Sequence, residues 1–223
     1  MAATFALGAW QMSRAAQKLA LQAAIDQRQA MPPVDQQALL SPALTTQLLH
    51  RAVRLRGTWV AQHTVFLDNR QMRGKPGFYV VTPLKLDGSD SAVLVERGWV
   101  QRNFVEREKL PPVETPPGLV ELDGRMASPP GKLYEFESAR HGPIRQNIDL
   151  AQFRAETGLA LLPLSVRQTG GSSQGLLREW PVVASGVDKH YGYAFQWWAL
   201  SALIAFLYVW FQFIAPRRKI HRA

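Results

Sequence analysis

The feature that most constrains this chain is an uninterrupted apolar stretch near its C-terminal end, residues 193–215. Its sequence, YAFQWWALSALIAFLYVWFQFIA, contains no charged residue, no proline and no glycine. At about 1.5 Å of rise per residue, a helix over this stretch is about 34 Å long, which is enough to cross a hydrocarbon core of about 30 Å. Tryptophan and tyrosine near both ends are typical of membrane-spanning helices. We therefore predict a transmembrane helix over residues 190–215.

The flanks of this helix predict its orientation. Residues 216–223, PRRKIHRA, carry four Lys and Arg residues. Basic flanks stay on the cytoplasmic side, so we expect a basic cytoplasmic tail and an opposite end that faces the periplasm or the intermembrane space. The alternative is a buried helix of a large soluble protein. The rest of the chain is not apolar enough to surround such a helix on all sides, which disfavours that alternative.

A second apolar segment opens the chain at residues 1–13, but it is too short to span a membrane alone. Helical periodicity continues beyond it through Arg14, Lys18 and Arg28 until Pro32-Pro33 ends the helix. Two interpretations are open. The segment is the partial end of a first transmembrane helix, which we favour, or it is a short helix half embedded in the interface.

Residues 14–189, between the two apolar segments, are predicted to form one α+β domain of mainly antiparallel sheet with short helices. Asn103 is placed to cap a helix over 104–110, and Asp149 to cap a helix that stops at Gly158. Pro83 is expected at an edge or at the end of its strand. The predicted strands are 53–60, 63–69, 77–86, 92–100, 119–127, 162–169 and 180–184.

Composition excludes several classes of function. The chain has a net charge of +9 but no basic run interleaved with stacking aromatics, so nucleic-acid binding is not expected. It has no cysteine, which excludes disulfides and thiolate sites for copper or zinc.

Residues 171–175, GSSQG, match the G-x-S-x-G motif around Ser173. That motif needs a following helix, for which Pro181 leaves no room. We predict that the chain is not an enzyme.

His190 is the most suggestive candidate for a ligand. It lies about one turn before the apolar stretch, where a neutral imidazole at a membrane surface is suited to be an axial ligand of haem iron. Tyr193 and Trp197 follow at helical spacing and would form a wall for the porphyrin. Arg178 or Lys189 would then meet the propionates.

The alternative is that His190 is an ordinary polar residue at the interface. Ser201 and Ala205 would then form a small-x-x-x-small contact for another membrane helix. On these physical grounds alone, the interface interpretation is favoured over the haem ligand.

Three patches of sequence, taken in order, resemble the surfeit locus protein 1 family, whose members are assembly factors of cytochrome c oxidase. The first is LGAWQMSRAAQK at 7–18. The second combines GKPGFYVVTPL at 74–84 with VLVERGWV at 93–100. The third is HYGYAFQWW at 190–198. The resemblance extends over nearly the whole chain.

This resemblance implies two membrane helices around a periplasmic domain in a bacterial inner membrane. It also implies delivery of haem a to oxidase subunit I, with His190 as the iron ligand beside Tyr193 and Trp197. The implied partners are subunit I, the haem a synthesis enzymes, a copper-insertion assembly factor and membrane lipid. The alternative is a scaffold without a cofactor that stabilises subunit I.

The second patch also has two interpretations. Arg97 and Gly98 either shape a surface that touches the oxidase or serve the fold, and Trp99 is expected in the core.

Overall fold

The computed structural model describes residues 1–41, 47–106, 109–130, 142–181 and 186–214. The chain divides into two compact units. The helix unit comprises Met1–Ile25 and Pro181–Ala223, and the sheet unit comprises Asp26–Trp180. The basic tail predicted at 216–223 lies outside the described residues.

The described residues contain four α-helices and eight strands. The helices are α1 (Ala2–Ala30), α2 (Gln36–Leu39), α3 (Leu150–Thr157) and α4 (Val187–Val209). The strands are β1 (Val34–Asp35), β2 (Ala52–Trp59), β3 (Val65–Met72), β4 (Lys75–Leu86), β5 (Ser91–Gln101), β6 (Leu119–Ala127), β7 (Ile144–Arg145) and β8 (Ala160–Gln168). A β-rich α+β fold was predicted and is confirmed.

Five strands of the sheet unit close into a ring. The pairing order is β2, β6, β8, β5 and β4, and β4 pairs back onto β2. All of these pairs are antiparallel except β5 with β8. Apolar side chains fill the interior because alternate residues of each strand point inward. Leu55, Leu84, Val93, Leu122 and Val166 belong to this core.

A second apolar layer covers one outer face of the ring. It joins Val65, Val81 and Leu94 on the strands to Phe153 on α3. β5 is consequently covered on both faces, and all residues from Ala92 to Trp99 are buried. This explains why β5 reads as a nearly continuous apolar run rather than an alternating one.

Local signals located α3 correctly. The Asp149 side chain accepts hydrogen bonds from the backbone N–H groups of Ala151 and Gln152, at 3.0 and 3.1 Å. Gly158 ends the helix in the left-handed region, at φ 68°. Both ends follow the expected capping chemistry.

The structure corrects the prediction for Pro83. Pro83 lies inside β4, paired with Leu94, instead of at an edge or a strand end. On its other side, β4 is paired with β3 up to Val81 and with β2 from Leu84 onward. A proline, which has no N–H, is tolerated because it occupies the short gap between these two neighbours.

Two other predicted elements differ. No helix forms over the described residues 104–106, where the Asn103 side chain instead closes a turn by accepting from the N–H groups of Val105 and Glu106. The sequence correctly indicated that the Asn103 side chain bonds to nearby backbone N–H groups. It did not indicate that the result is a turn rather than a helix. The predicted strand 180–184 is absent at Trp180 and Pro181, and its remainder lies outside the described residues.

Val187–Ile214, which is α4 with one π-helical turn, has the length and apolarity needed to cross a membrane. Among the described residues it is the single helix that meets both conditions. Its aromatic side chains are widely exposed, with Phe195 at 73% and Phe206 at 59%. A helix in the core of a soluble protein would be buried instead. α1 does not meet the conditions, because even its first 18 residues, with Arg14, Lys18 and two glutamines, are not apolar enough.

Candidate functional site

Within the helix unit, α1 and α4 pack side by side in opposite directions. Ser201 donates to the carbonyl oxygen of Met1 at 3.2 Å, and the indole N–H of Trp198 donates to that of Phe5 at 3.3 Å. His190, nearer the start of α4, contacts Gln11, further along α1. Residues later in α4 therefore contact residues earlier in α1, so the two helices are antiparallel.

Gly8 lies in close contact with the Trp198 side chain of α4. A Cβ atom added there would lie 2.9 Å from Cε2 of Trp198 and closer still to two other atoms of the indole. Gly8 and Ala15 are buried, at a spacing of seven residues. Small residues at an interface let two helices approach closely, and Gly8 has this role between α1 and α4.

His190 lies in the first turn of α4, as its sequence position predicted. Its Nδ1 atom is 2.7 Å from Oε1 of Gln11, 179 residues away in sequence. The ring is half-buried, and within the described part of the chain its Nε2 atom takes part in no hydrogen bond. One ring nitrogen is therefore held by the protein, while the other keeps its bonding capacity.

The two aromatic residues expected beside His190 differ in their surroundings. Tyr193 lies on the outer surface and is 52% exposed. Trp197, one turn later, is half-buried. Lys189, a candidate partner for propionates, is exposed in the first turn of α4.

The small residues of α4 are not a free contact surface. Ser201 is buried and hydrogen-bonded to Met1 of the same chain. Ala194, two turns earlier on the same stripe, is also buried. Ala205 is half-buried. The sequence analysis placed Ser201 and Ala205 against another helix, and at Ser201 the helix in contact is this chain's own α1.

Arg178, the other proposed partner for propionates, is engaged inside the sheet unit. Its Nε donates to the carbonyl oxygen of Arg97 at 2.9 Å, and its Nη1 donates to the Ser173 hydroxyl at 2.9 Å. No helix follows Ser173 over residues 174–181. The segment around Ser173 is a loop fastened by Arg178, as its composition indicated.

Arg97 is fully buried, which favours the interpretation that it serves the fold. Its guanidinium donates to Thr115 Oγ1 at 2.7 Å, to the Glu114 carbonyl at 2.5 Å and to Gln174 Oε1 at 2.8 Å. It also stacks 4.7 Å above the ring of Trp59. Burial, and after it the charge of Arg178, lower the pKa of Arg97 to about 10. Arg97 therefore stays charged at neutral pH and ties two loops to the sheet.

The neighbouring residues of the same motif are also structural. Glu96 is buried on the opposite face of β5, where it accepts from Ser165 and from Arg167, both at 3.0 Å. Trp99 is in the core, as predicted, and its indole donates to the carbonyl of Arg70 at 2.8 Å. Gly98 passes so close to Leu176 that a Cβ atom would be 2.8 Å from that residue's Cβ.

Comparison with known proteins assigns this chain to one protein family. The family model described as SURF1 family matches residues 1–202. The chain belongs to the SURF1 family. It is 29% identical to a SURF1-like protein of Drosophila melanogaster, over 97% of this chain and 75% of the relative. It is 24% identical to a SURF1-like protein of Rickettsia bellii, over 91% of this chain and 83% of the relative.

A third relative of this SURF1-family chain is the cytochrome oxidase assembly protein SHY1 of Saccharomyces cerevisiae. The two are 29% identical over 46% of this chain, but that match spans only 26% of the yeast protein. The membership itself was predicted from the three sequence patches and is confirmed.

Sequence reasoning gave no role to Gln11 or Gly8, although both lie in the first patch of this SURF1-family chain. The available signal was helical spacing, since Gly8, Gln11 and Ala15 share one stripe of α1. What the stripe faces is decided by the pairing of α1 with α4. No local pattern contains that information.

Proposed function

We propose that this chain assists cytochrome oxidase assembly in a membrane by holding haem a at His190. Membership of the SURF1 family and the likeness to the yeast assembly protein support the assembly role. The single observation that supports the haem role is that Nδ1 of the His190 imidazole is held by Gln11 while Nε2 is available. This proposal makes the chain a carrier rather than an enzyme.

The residues around His190 suit a haem. A neutral imidazole is a common axial ligand of haem iron, and haem a supplies an iron that accepts such a ligand. His190 would hold the iron through Nε2, the exposed Tyr193 and half-buried Trp197 would offer apolar surface, and Lys189 would attract a propionate. Gln11 would keep the imidazole in place.

We propose a topology in which α4 spans a bacterial inner membrane and α1 packs against it as a second membrane segment. The sheet unit then belongs to the periplasmic side, and the basic tail belongs to the cytoplasm. The four Lys and Arg residues after Ala215 support this orientation. Haem a synthesis enzymes would donate the cofactor, and oxidase subunit I would receive it.

The experiment is a visible spectrum of the full chain, purified from membranes of a host that makes haem a. We expect the wild-type protein to carry haem a and His190→Ala to retain at most about one tenth as much. Loss of a residue that merely supports a ligand already weakens metal binding by about tenfold or more. His63→Ala, in a short turn of the sheet unit, is the matched control and should keep its haem.

Equal haem content in wild-type protein and His190→Ala would refute the ligand role. If His190→Ala also supported normal oxidase maturation, the chain would be a scaffold without a cofactor. The face of α4 that carries the exposed Phe195 and Phe206 would then be the surface that meets subunit I.

A further inference from the structure

The hydrogen bond between Gln11 and His190 determines more than the position of the ring. The atom of Gln11 that faces Nδ1, at 2.7 Å, is the side-chain oxygen Oε1. With Oε1 as the facing atom, the contact is a hydrogen bond only when Nδ1 carries the proton, because an amide oxygen can only accept. A neutral imidazole has one such proton, and Nε2 is therefore left with a free lone pair.

Gln11 is itself well placed to hold this arrangement. It is half-buried, one turn after Gly8 and one turn before Ala15 on the stripe of α1 that faces α4. The close approach at Gly8 and Trp198 sets the distance between the helices just beside it. Metal-binding histidines commonly donate their second N–H to such an oxygen, which fixes both the tautomer and the ring orientation.

We infer that Gln11 is the positioning residue that prepares His190 as a ligand: it selects the tautomer protonated at Nδ1 and leaves Nε2 as the metal-binding atom. The tautomer depends only on the contact between α1 and α4. The identity of the metal as haem iron rests on the function proposed above.

The tautomer is tested without haem, in full-length protein labelled with ¹⁵N-histidine and reconstituted in lipid nanodiscs above pH 8. The His190 signals are assigned by their loss in His190→Ala. We expect Nδ1 of the wild-type protein to show the protonated chemical shift and Nε2 the unprotonated one. Gln11→Leu should shift this population toward the tautomer protonated at Nε2, because the acceptor is gone.

Two variants separate positioning from a general effect on the fold. Gln11→Glu keeps an acceptor at the same distance and should restore the Nδ1–H tautomer. Gln17→Leu changes an exposed glutamine of the same helix, whose partners are Arg14 and Ser13, and should leave His190 unchanged. Near-ultraviolet circular dichroism reports whether the helix pair persists in each variant.

Titration with haem a then tests the consequence. Loss of a residue that supports a metal ligand typically weakens metal binding by about 10–100-fold, and we expect this for Gln11→Leu, with recovery in Gln11→Glu. A wild-type ring protonated at Nε2, or an unchanged ring in Gln11→Leu, would overturn the inference. A wild-type protein with the expected tautomer that binds no haem a would instead overturn the proposed function and leave the role of Gln11 standing.

Discussion

Replacing Gly8 by alanine tests whether close packing of α1 and α4 holds the candidate site together. The added methyl group would lie 2.9 Å from Cε2 of Trp198 and nearer to two other ring atoms. The indole is restrained, because its N–H donates to the Phe5 carbonyl and its ring lies 6.3 Å from that of Phe5. The variant must therefore either move the indole, with loss of these contacts, or separate the two helices, and both responses are destabilising.

The expected effect is the sum of two opposing contributions. Overpacking of a close contact destabilises a protein by about 1–3 kcal/mol. Alanine is a better helix former than glycine by about 1 kcal/mol, which offsets part of the loss. We therefore expect Gly8→Ala to lower the free energy of unfolding of the helix unit by up to about 2 kcal/mol.

Gly192→Ala is the matched control, because it makes the same change in α4 where, among the described residues, no atom beyond the adjoining helix backbone lies within 4 Å of the new Cβ. It should be neutral or stabilise the helix unit by up to about 1 kcal/mol. Both variants can be compared by reversible unfolding in mixed micelles, followed by tryptophan fluorescence. A Gly8→Ala protein as stable as Gly192→Ala would refute the close-packing argument.

Two further predictions concern the sheet unit. Arg97→Met should lower its free energy of unfolding by about 3 kcal/mol, since three hydrogen bonds of about 1 kcal/mol each are lost, measured by hydrogen exchange at the amides of β5. His50→Asn should remove a pH dependence. Burial, and after it the charges of Arg28, Arg125 and Arg167, lower the pKa of His50. The unfolded chain then binds more protons, so the wild-type protein should lose stability as the pH falls from above 6.5 toward the lowered pKa, and the variant should lose less.

Controls exist for both variants. Arg97→Lys keeps a charge but not the three-way donor geometry, and it should fall between Arg97→Met and the wild-type protein. Equal stability of all three proteins would contradict the role assigned to Arg97. His50 has a φ of 69°, which asparagine tolerates, so His50→Asn adds little backbone strain. An unchanged pH dependence in His50→Asn would show that other groups are responsible.

Local patterns located most elements because the information they need is short-ranged. β2, β4, β5, β6 and β8 overlap the predicted strands closely, and α3 begins and ends at its predicted caps. The predictions were wrong at residues whose local pattern is compatible with two different structures. Asn103 closes a turn as readily as it caps a helix, and a proline such as Pro83 fits inside a sheet wherever one neighbouring strand gives way to another.

The roles of buried charges also escaped local reasoning. Arg97 follows apolar residues of β5 in a pattern that fits either a surface or a core residue. Its burial depends on Trp59 and on two loops that reach it from elsewhere in the chain. A buried guanidinium is stable only when such partners are in place, and strand periodicity does not reveal them.

The sequence by itself determined a helix long and apolar enough to cross a membrane, the β-rich class of the domain, the family and the choice of His190 as a candidate ligand. These follow from apolar length, periodicity and short motifs, which act over a few residues. The tertiary structure decided which nitrogen of His190 is held, because Gln11 and His190 are 179 positions apart. Only the antiparallel packing of α1 on α4, which the missing side chain of Gly8 permits, brings the two groups within hydrogen-bonding distance.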